Sequence, residues 1–302
     1  MTPALTSALT VRLGCEVRFG EPLARYTTYR IGGPATAVVF PRRAADVVET
    51  VRLARETETP WLALGLGSNV LVADAGFQGI VVRLGKGLDQ IERSGPGGSE
   101  WSVGAGLPVP LLARQSAAAG HSGAHRLIGV PGTVGGGIWM NAGAHGQDFS
   151  QITRAVELVD ASGEARVVPG ARLGWRYRSS GLEGVVVVRA LLELVPGDPE
   201  KSKQELALYL KKRREGTPFD EPCCGSVFRN PGGGRTAGQL IEAVGLKGHR
   251  IGGAQVSPKH ANYIVNLGNA TAGNVLAVIE AVRARVRAEF GIALELEVKL
   301  IE

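Results

Sequence analysis

Residues 129–146 read GVPGTVGGGIWMNAGAHG, with seven glycines in eighteen positions and no Lys, Arg, Asp or Glu. Each glycine loses backbone freedom on folding and contributes no side chain to a core. A chain that keeps so many together must either turn where other residues cannot, or let something approach its backbone closely. Two more glycine-rich loops precede it, YRIGGPA at 29–35 and GLGSNVLVADAGFQG at 65–79. Each of the three adjoins a predicted strand. Backbone N–H groups in such turns donate to anionic phosphates, and Ser68 and Asn69 add a hydroxyl and an amide. The nucleotide-binding patterns with fixed spacing are absent. G-x-G-x-x-G needs glycine where Val70 stands, and no G-K-[ST] follows any glycine, which argues against a Rossmann domain and a P-loop. A plain turn explains any one of the loops; three in one half of the chain favour a ligand.

The remaining pattern is α+β. Strands are predicted at 35–40, 61–69, 79–84, 101–106, 154–160, 165–170 and 184–195, with helices at 43–60 and 109–120 among them. The stretch VPGDPEKSK, 195–203, breaks the chain with two prolines and a glycine and marks the best domain boundary. Beyond it lies a helix over 201–215, with Leu206, Tyr209 and Leu210 on its buried side and the basic run KKRRE at its end. A second helix covers 271–291, with Val275, Ile279, Val282, Val286 and Phe290 on one face and Gly291 as its stop. ANYIVNLG, 261–268, lies between them as a strand. In the last segment Leu294, Leu296, Val298 and Leu300 alternate with charged residues, predicting a half-buried strand. A length of 302 residues implies two or three domains.

Composition narrows the function classes. No apolar run reaches the length of a membrane-spanning helix, and the N-terminus lacks the basic start and apolar stretch of a secretion signal. The net charge of +6 suits an anionic ligand, a nucleic-acid surface or solubility alone. Aromatic residues are 5% of the chain and do not interleave with a basic face, so nucleic acid is not the expected partner. Cys15, Cys223 and Cys224 form no C-x-x-C and read as reduced thiols. His121 and His125 have the i,i+4 spacing of metal ligands but nothing else of such a motif, and no metal is expected.

Three residues stand out for chemistry. Ser226 sits in CCGSVFRNP without the G-x-S-x-G pattern of a nucleophile, and reads as a turn hydroxyl or a proton donor. Arg178 in WRYRSSG is a surface arginine or a fork for a carboxylate or phosphate. Glu297 lies on the polar side of the last strand, either solvated or bordering a cleft.

Taken in order, YRIGGPA, GLGSNVLV, GVPGTVGGGIWMNAGAHG, YRSS, CCGSVFRNP, AGQLIEAVGLKGHRIGGAQVSPKHANYIVN and GIALELEVKLI resemble the UDP-N-acetylenolpyruvoylglucosamine reductase family from about Leu23 to Ile301. The direct passage from YRSS to a strand is similar to the shorter variety, which lacks an inserted tyrosine segment. The resemblance implies an α+β, vanillyl-alcohol-oxidase-type FAD-binding fold in two subdomains, 1–82 and 83–197, with a C-terminal α+β substrate domain, 198–291. The strand 292–302 is expected to return to the first subdomain or to the cleft. FAD contacts carry over to Gly65, Gly67, Ser68, Asn69, Pro131, Gly132, Thr133, Gly135, Gly136, Asn141, Ala142 and Gly143. The catalytic set carries over to Ser226 as proton donor, Arg178 and Glu297. Asn230 matches a substrate contact, and Arg214, Lys247, Lys259 and His260 are looser candidates for the UDP-sugar.

The implied reaction is NADPH-dependent reduction of the enolpyruvyl ether of UDP-N-acetylglucosamine to UDP-N-acetylmuramate, in peptidoglycan precursor synthesis. Hydride would come from flavin N5 and the proton from Ser226. A cytoplasmic monomer or weak oligomer, bound to neither nucleic acid nor membrane, is expected. The alternative is another FAD oxidoreductase of the same fold acting on a sugar or hydroxy acid.

Overall fold

The computed structural model describes residues 3–302. They form two compact units. The first contains residues up to Glu21, Thr36–Leu66 and Gly79–Lys211; the second contains Pro22–Ala35, Gly67–Gln78 and Lys212–Glu302. The units interleave along the chain, whereas the boundaries read from the sequence follow chain order.

Two sheets build the first unit. One has the strand order Glu16–Pro22, Pro34–Phe40, Phe77–Arg83, Trp61–Leu64. The other is antiparallel throughout, in the order Ala165–Pro169, Thr153–Val159, Val186–Glu193, Glu100–Gly104, Ile91–Ser94. Val186–Glu193 is central because its valine run can be covered on both faces. Val186, Val188, Ala190 and Leu192 enter the main core with Trp101, Val103, Val156 and Leu158. Each such aliphatic side chain contributes about 1.5–3 kcal/mol when fully buried. The helices Ala44–Glu56 and Val109–Ala118 supply Val47, Val51 and Leu112 to the same core.

The second unit is organised on the helix Ala272–Phe290. Its apolar positions Val275, Val278, Ile279, Val282 and Val286 are buried against Leu240, Ile241, Ala254, Val256, Leu294 and Val298. The ends are those the sequence signals. Thr271 Oγ1 accepts from Asn274 N in a capping box, and Gly291 closes the helix at φ 67°. Asp74, from the second glycine-rich loop, accepts from Ala272 N at 2.8 Å and Gly273 N at 3.1 Å. Around the helix lie the short helix Ala237–Ala243 and an antiparallel sheet of Arg250–Ile251, Ala254–Val256 and Ile264–Asn266.

Two expectations need correction. The closing segment is regular strand only over Lys299–Ile301, which pairs in parallel with Val70–Val72. Before it, Val227 O accepts from both Glu297 N and Val298 N, and a carbonyl shared by consecutive residues interrupts a ladder. Burial still alternates at Leu294 and Val298, but Leu300 is exposed. The second correction concerns the helix Pro199–Gly216. Leu206, Tyr209 and Leu210 are only half-buried, and Ser202 is its one buried residue, because so polar a sequence has little apolar surface to hide. Among the described residues no helix is long and apolar enough to cross a membrane.

Candidate active site

The glycine-rich stretch contains a short helix, Val134–Trp139, where a loop was expected. Thr133 caps it, its hydroxyl accepting from Gly136 N. Its glycines serve different ends. A Cβ added to Gly137 would lie 2.3 Å from the Phe149 ring, and one added to Gly135 would lie 2.8 Å from Ala105 Cβ. Those two are required by packing inside the protein. Gly65 is required likewise, since its Cβ would lie 2.3 Å from Thr133 Oγ1. Gly136 differs. It is exposed, and nothing lies closer to its added Cβ than Thr133 Oγ1 at 3.6 Å. Glycine costs about 1 kcal/mol relative to alanine in a helix, and no protein contact accounts for it here. This bare face fits a group that approaches the backbone closely, as a flavin dinucleotide does.

The same stretch positions Arg178. Trp139 Nε1 donates to Leu182 O, and Ser180 Oγ donates to Trp139 O. Asn141, buried and at φ 41°, donates to Arg176 O and accepts from Ser150 N. Arg176 and Ser179 exchange backbone hydrogen bonds, closing a tight turn with Arg178 inside it at φ 58°. A left-handed arginine is strained, and such strain persists only where its surroundings impose it. Arg178 also lies over the Tyr177 ring, 4.8 Å from its centroid.

In the second unit, three segments lace together. Thr28 Oγ1 donates to Cys223 O at 2.7 Å, and Thr28 N donates to Gly67 O at 3.1 Å. Gly67, at φ 62°, could not bear a Cβ, which would lie 2.2 Å from Tyr26 O. Asn69 Nδ2 donates to Glu297 O at 3.1 Å, and Lys299 N donates to Asn69 O. Glu297 N donates to Val227 O at 2.8 Å, so Ser226 and Glu297 lie on segments joined by the residue next to Ser226. The Ser226 loop is anchored on both sides by bridges Cys223↔Val265 and Phe228↔Leu296. Burial pushes the Cys224 thiol and the Tyr29 phenol above their ordinary ranges, so neither ionises near neutrality.

Sequence reasoning missed Asn262. Its Oδ1 accepts from Phe228 N at 2.9 Å, its Nδ2 donates to Phe228 O at 2.8 Å, and its carbonyl accepts from Val227 N. No local pattern signals this; only a search for what satisfies the Phe228 backbone finds it. Asn262→Ala leaves both buried Phe228 groups unpaired, at roughly 1–3 kcal/mol each. The expected results are a clear loss of stability in urea unfolding and an impaired substrate half-reaction; an unchanged unfolding midpoint contradicts the clamp.

The substrate candidates are all in the second unit. Asn230 Oδ1 accepts from Ala237 N, which starts the helix Ala237–Ala243. Lys247 pairs with Glu242 at 2.7 Å, and Lys259 Nζ donates to Arg214 O at 2.6 Å. Burial lowers the His260 pKa, and its Nδ1 accepts from Asn262 N.

Comparison with known proteins decides the family. Residues 217–301 match the C-terminal domain of UDP-N-acetylenolpyruvoylglucosamine reductase, and residues 35–168 match an FAD binding domain. A UDP-N-acetylenolpyruvoylglucosamine reductase from Halalkalibacterium halodurans is 43% identical over 95% of this chain and 94% of its own. The chain belongs to the UDP-N-acetylenolpyruvoylglucosamine reductase family. The crystal structure of the reductase from Thermus caldophilus superimposes with a TM-score of 0.81 at 36% identity, covering 95% of this chain and 99% of that one. A berberine bridge enzyme variant shares the FAD-binding fold alone, at TM-score 0.52, 14% identity, and 65% and 44% coverage of the two chains. The α+β, vanillyl-alcohol-oxidase-type reading of the fold and the assignment to this reductase family therefore both stand.

Proposed function

We propose that this chain reduces the enolpyruvyl ether of UDP-N-acetylglucosamine to UDP-N-acetylmuramate for peptidoglycan synthesis, with FAD as its cofactor and NADPH as reductant. The observation that carries the reading is a reductase of that name matching along 95% of the chain. The bare Gly136 face supports a flavin on the chain's own geometry.

Gly132, Thr133, Gly135, Gly136, Asn141, Ala142 and Gly143 hold the flavin dinucleotide, with Pro131, Gly65, Gly67, Ser68 and Asn69. FAD held there would supply the hydride chemistry, carrying a hydride from NADPH to the terminal alkene carbon of the substrate. Negative charge then builds on the adjacent carbon and spreads into its carboxylate. Fixed donors act most strongly on charge that develops only in the transition state. Arg178 binds the carboxylate oxygens by charge-assisted hydrogen bonds, and Glu297 is placed to donate to the same oxygens when it carries a proton. Ser226 gives its hydroxyl proton to the carbanionic carbon. Asn230, Arg214, Lys247, Lys259 and His260 bind the UDP-sugar. The three free cysteines, Cys15, Cys223 and Cys224, support a cytoplasmic location. By role, residues 1–82 and 83–197 are the two FAD-binding subdomains and 198–291 the substrate-binding domain.

The test is direct. The purified protein supplied with FAD is expected to be yellow, and to consume NADPH in equal amount to the enolpyruvyl substrate without forming peroxide. NADPH consumption that ignores this substrate, or peroxide in its place, overturns the reading in favour of another flavin oxidoreductase.

A further inference from the structure

The helix Pro199–Gly216 buries only Ser202, so apolar packing does little to seat it. Two contacts within the first unit stand out on it. Glu205 Oε2 pairs with His125 Nε2 at 2.9 Å. One turn on, the Tyr209 ring lies flat on the His145 imidazole, with centroids 3.9 Å apart and planes within 10°. Residues 205 and 209, four apart, share one helix face. The two histidines flank the glycine-rich stretch: His125 precedes it and His145 lies at its far end.

His145 occupies a demanding position. Gly143–Ala144 pairs antiparallel with Gln147–Asp148, so His145 and Gly146 form a two-residue hairpin turn, at φ 53° and 78°. Turns with both φ positive are filled with least strain by Asn-Gly or Gly-Gly. A left-handed imidazole is unfavourable there, and the ring gains a stacking contact that Asn or Gly could not make. Stacked aromatic pairs contribute on the same scale as that strain. The stack therefore has the strength to fix where the hairpin rests against the helix. Its first strand begins at Gly143, directly after Asn141 and Ala142.

We infer that Tyr209 is a positioning residue for the flavin: its ring holds His145, and through the hairpin it sets the backbone of Asn141, Ala142 and Gly143. This rests on the proposed assignment of those three residues to FAD. Tyr209 is also two residues before the chain passes into the second unit, so the contact ties that connection to the glycine-rich segment.

The experiment is titration of the apoprotein with FAD, followed by quenching of flavin fluorescence, together with apoprotein melting. Tyr209→Leu is expected to weaken FAD binding roughly five- to tenfold, and Tyr209→Phe, which keeps the ring, to bind within about twofold of the unaltered protein. His145→Asn, which suits the turn but lacks the ring, is expected to weaken binding like Tyr209→Leu without lowering the apoprotein melting point. Glu205→Gln, which loosens the same helix elsewhere, is expected to leave FAD affinity within about twofold. Unchanged affinity in both Tyr209→Leu and His145→Asn overturns the inference. So does an equal loss in Glu205→Gln, which would reduce the effect to general helix docking. Failure of the unaltered protein to take up FAD overturns the functional reading, and this inference with it.

Discussion

Replacing Ser226 by alanine is expected to leave reduction of the bound flavin by NADPH within about twofold, and to slow its reoxidation by the enolpyruvyl substrate roughly thousandfold. The two half-reactions need different things. The first needs only access of NADPH to the flavin. In the proposed mechanism the second ends with a carbanion that must be protonated, and a positioned acid contributes roughly 10²–10⁴-fold to such a step. Serine is a weak acid, but its partner is a strong base, and the loop that presents it is anchored. Gly225 sits at φ 80° before it, and Val227 N donates to Asn262 O after it. Stopped-flow absorbance of the flavin separates the two phases. If both rates fall together, Ser226 acts on binding or folding and is not the proton donor.

The second large effect separates two neighbouring glycines. Gly137→Ala forces a methyl group into the Phe149 ring, which is fully buried. Overpacking of a tight core costs about 1–3 kcal/mol, so a fall in thermal midpoint of several degrees is expected, with or without FAD. Gly136→Ala adds a methyl on a helix with only an ordinary contact to Thr133 Oγ1, at 3.6 Å. The apoprotein should gain up to about 1 kcal/mol from helix propensity, while FAD affinity falls at least about tenfold because the methyl occupies the close-approach face. A protein made more stable and less able to bind FAD by one methyl group is the diagnostic pattern. Unchanged FAD affinity in Gly136→Ala would remove that face from the cofactor site.

Much of the fold is legible in the sequence where one periodicity dominates. The helix Ala272–Phe290 is marked by its apolar face, its Thr271 cap and its Gly291 stop. Val186–Glu193 is marked by its valine run. The short helix Val134–Trp139 is not legible, because three successive glycines suppress helix propensity. It forms because Gly135 and Gly137 let it lie against Ala105 and Phe149, contacts that no local pattern signals. The closing strand misleads for a related reason. Its alternation is real, but a shared carbonyl at Val227 decides where pairing stops. Ser226 and Glu297 are recognisable as motif residues, while their junction through Val227, and the hold of Asn69 on Glu297 O, arise from contacts between segments 228 positions apart in the second of these cases. The left-handed state of Arg178 likewise depends on Trp139 and Asn141, which are remote from it along the chain.

The backbone passes between the two units five times. Recombination or truncation therefore cannot treat the C-terminal third as a transplantable cassette. A fragment beginning at Lys212 lacks the Val70–Val72 neighbour of its last strand and the Asp74 carboxylate over its principal helix. Heredity of this architecture is then all or nothing: gene fusions that swap one end of the chain must bring along two short loops encoded near the other.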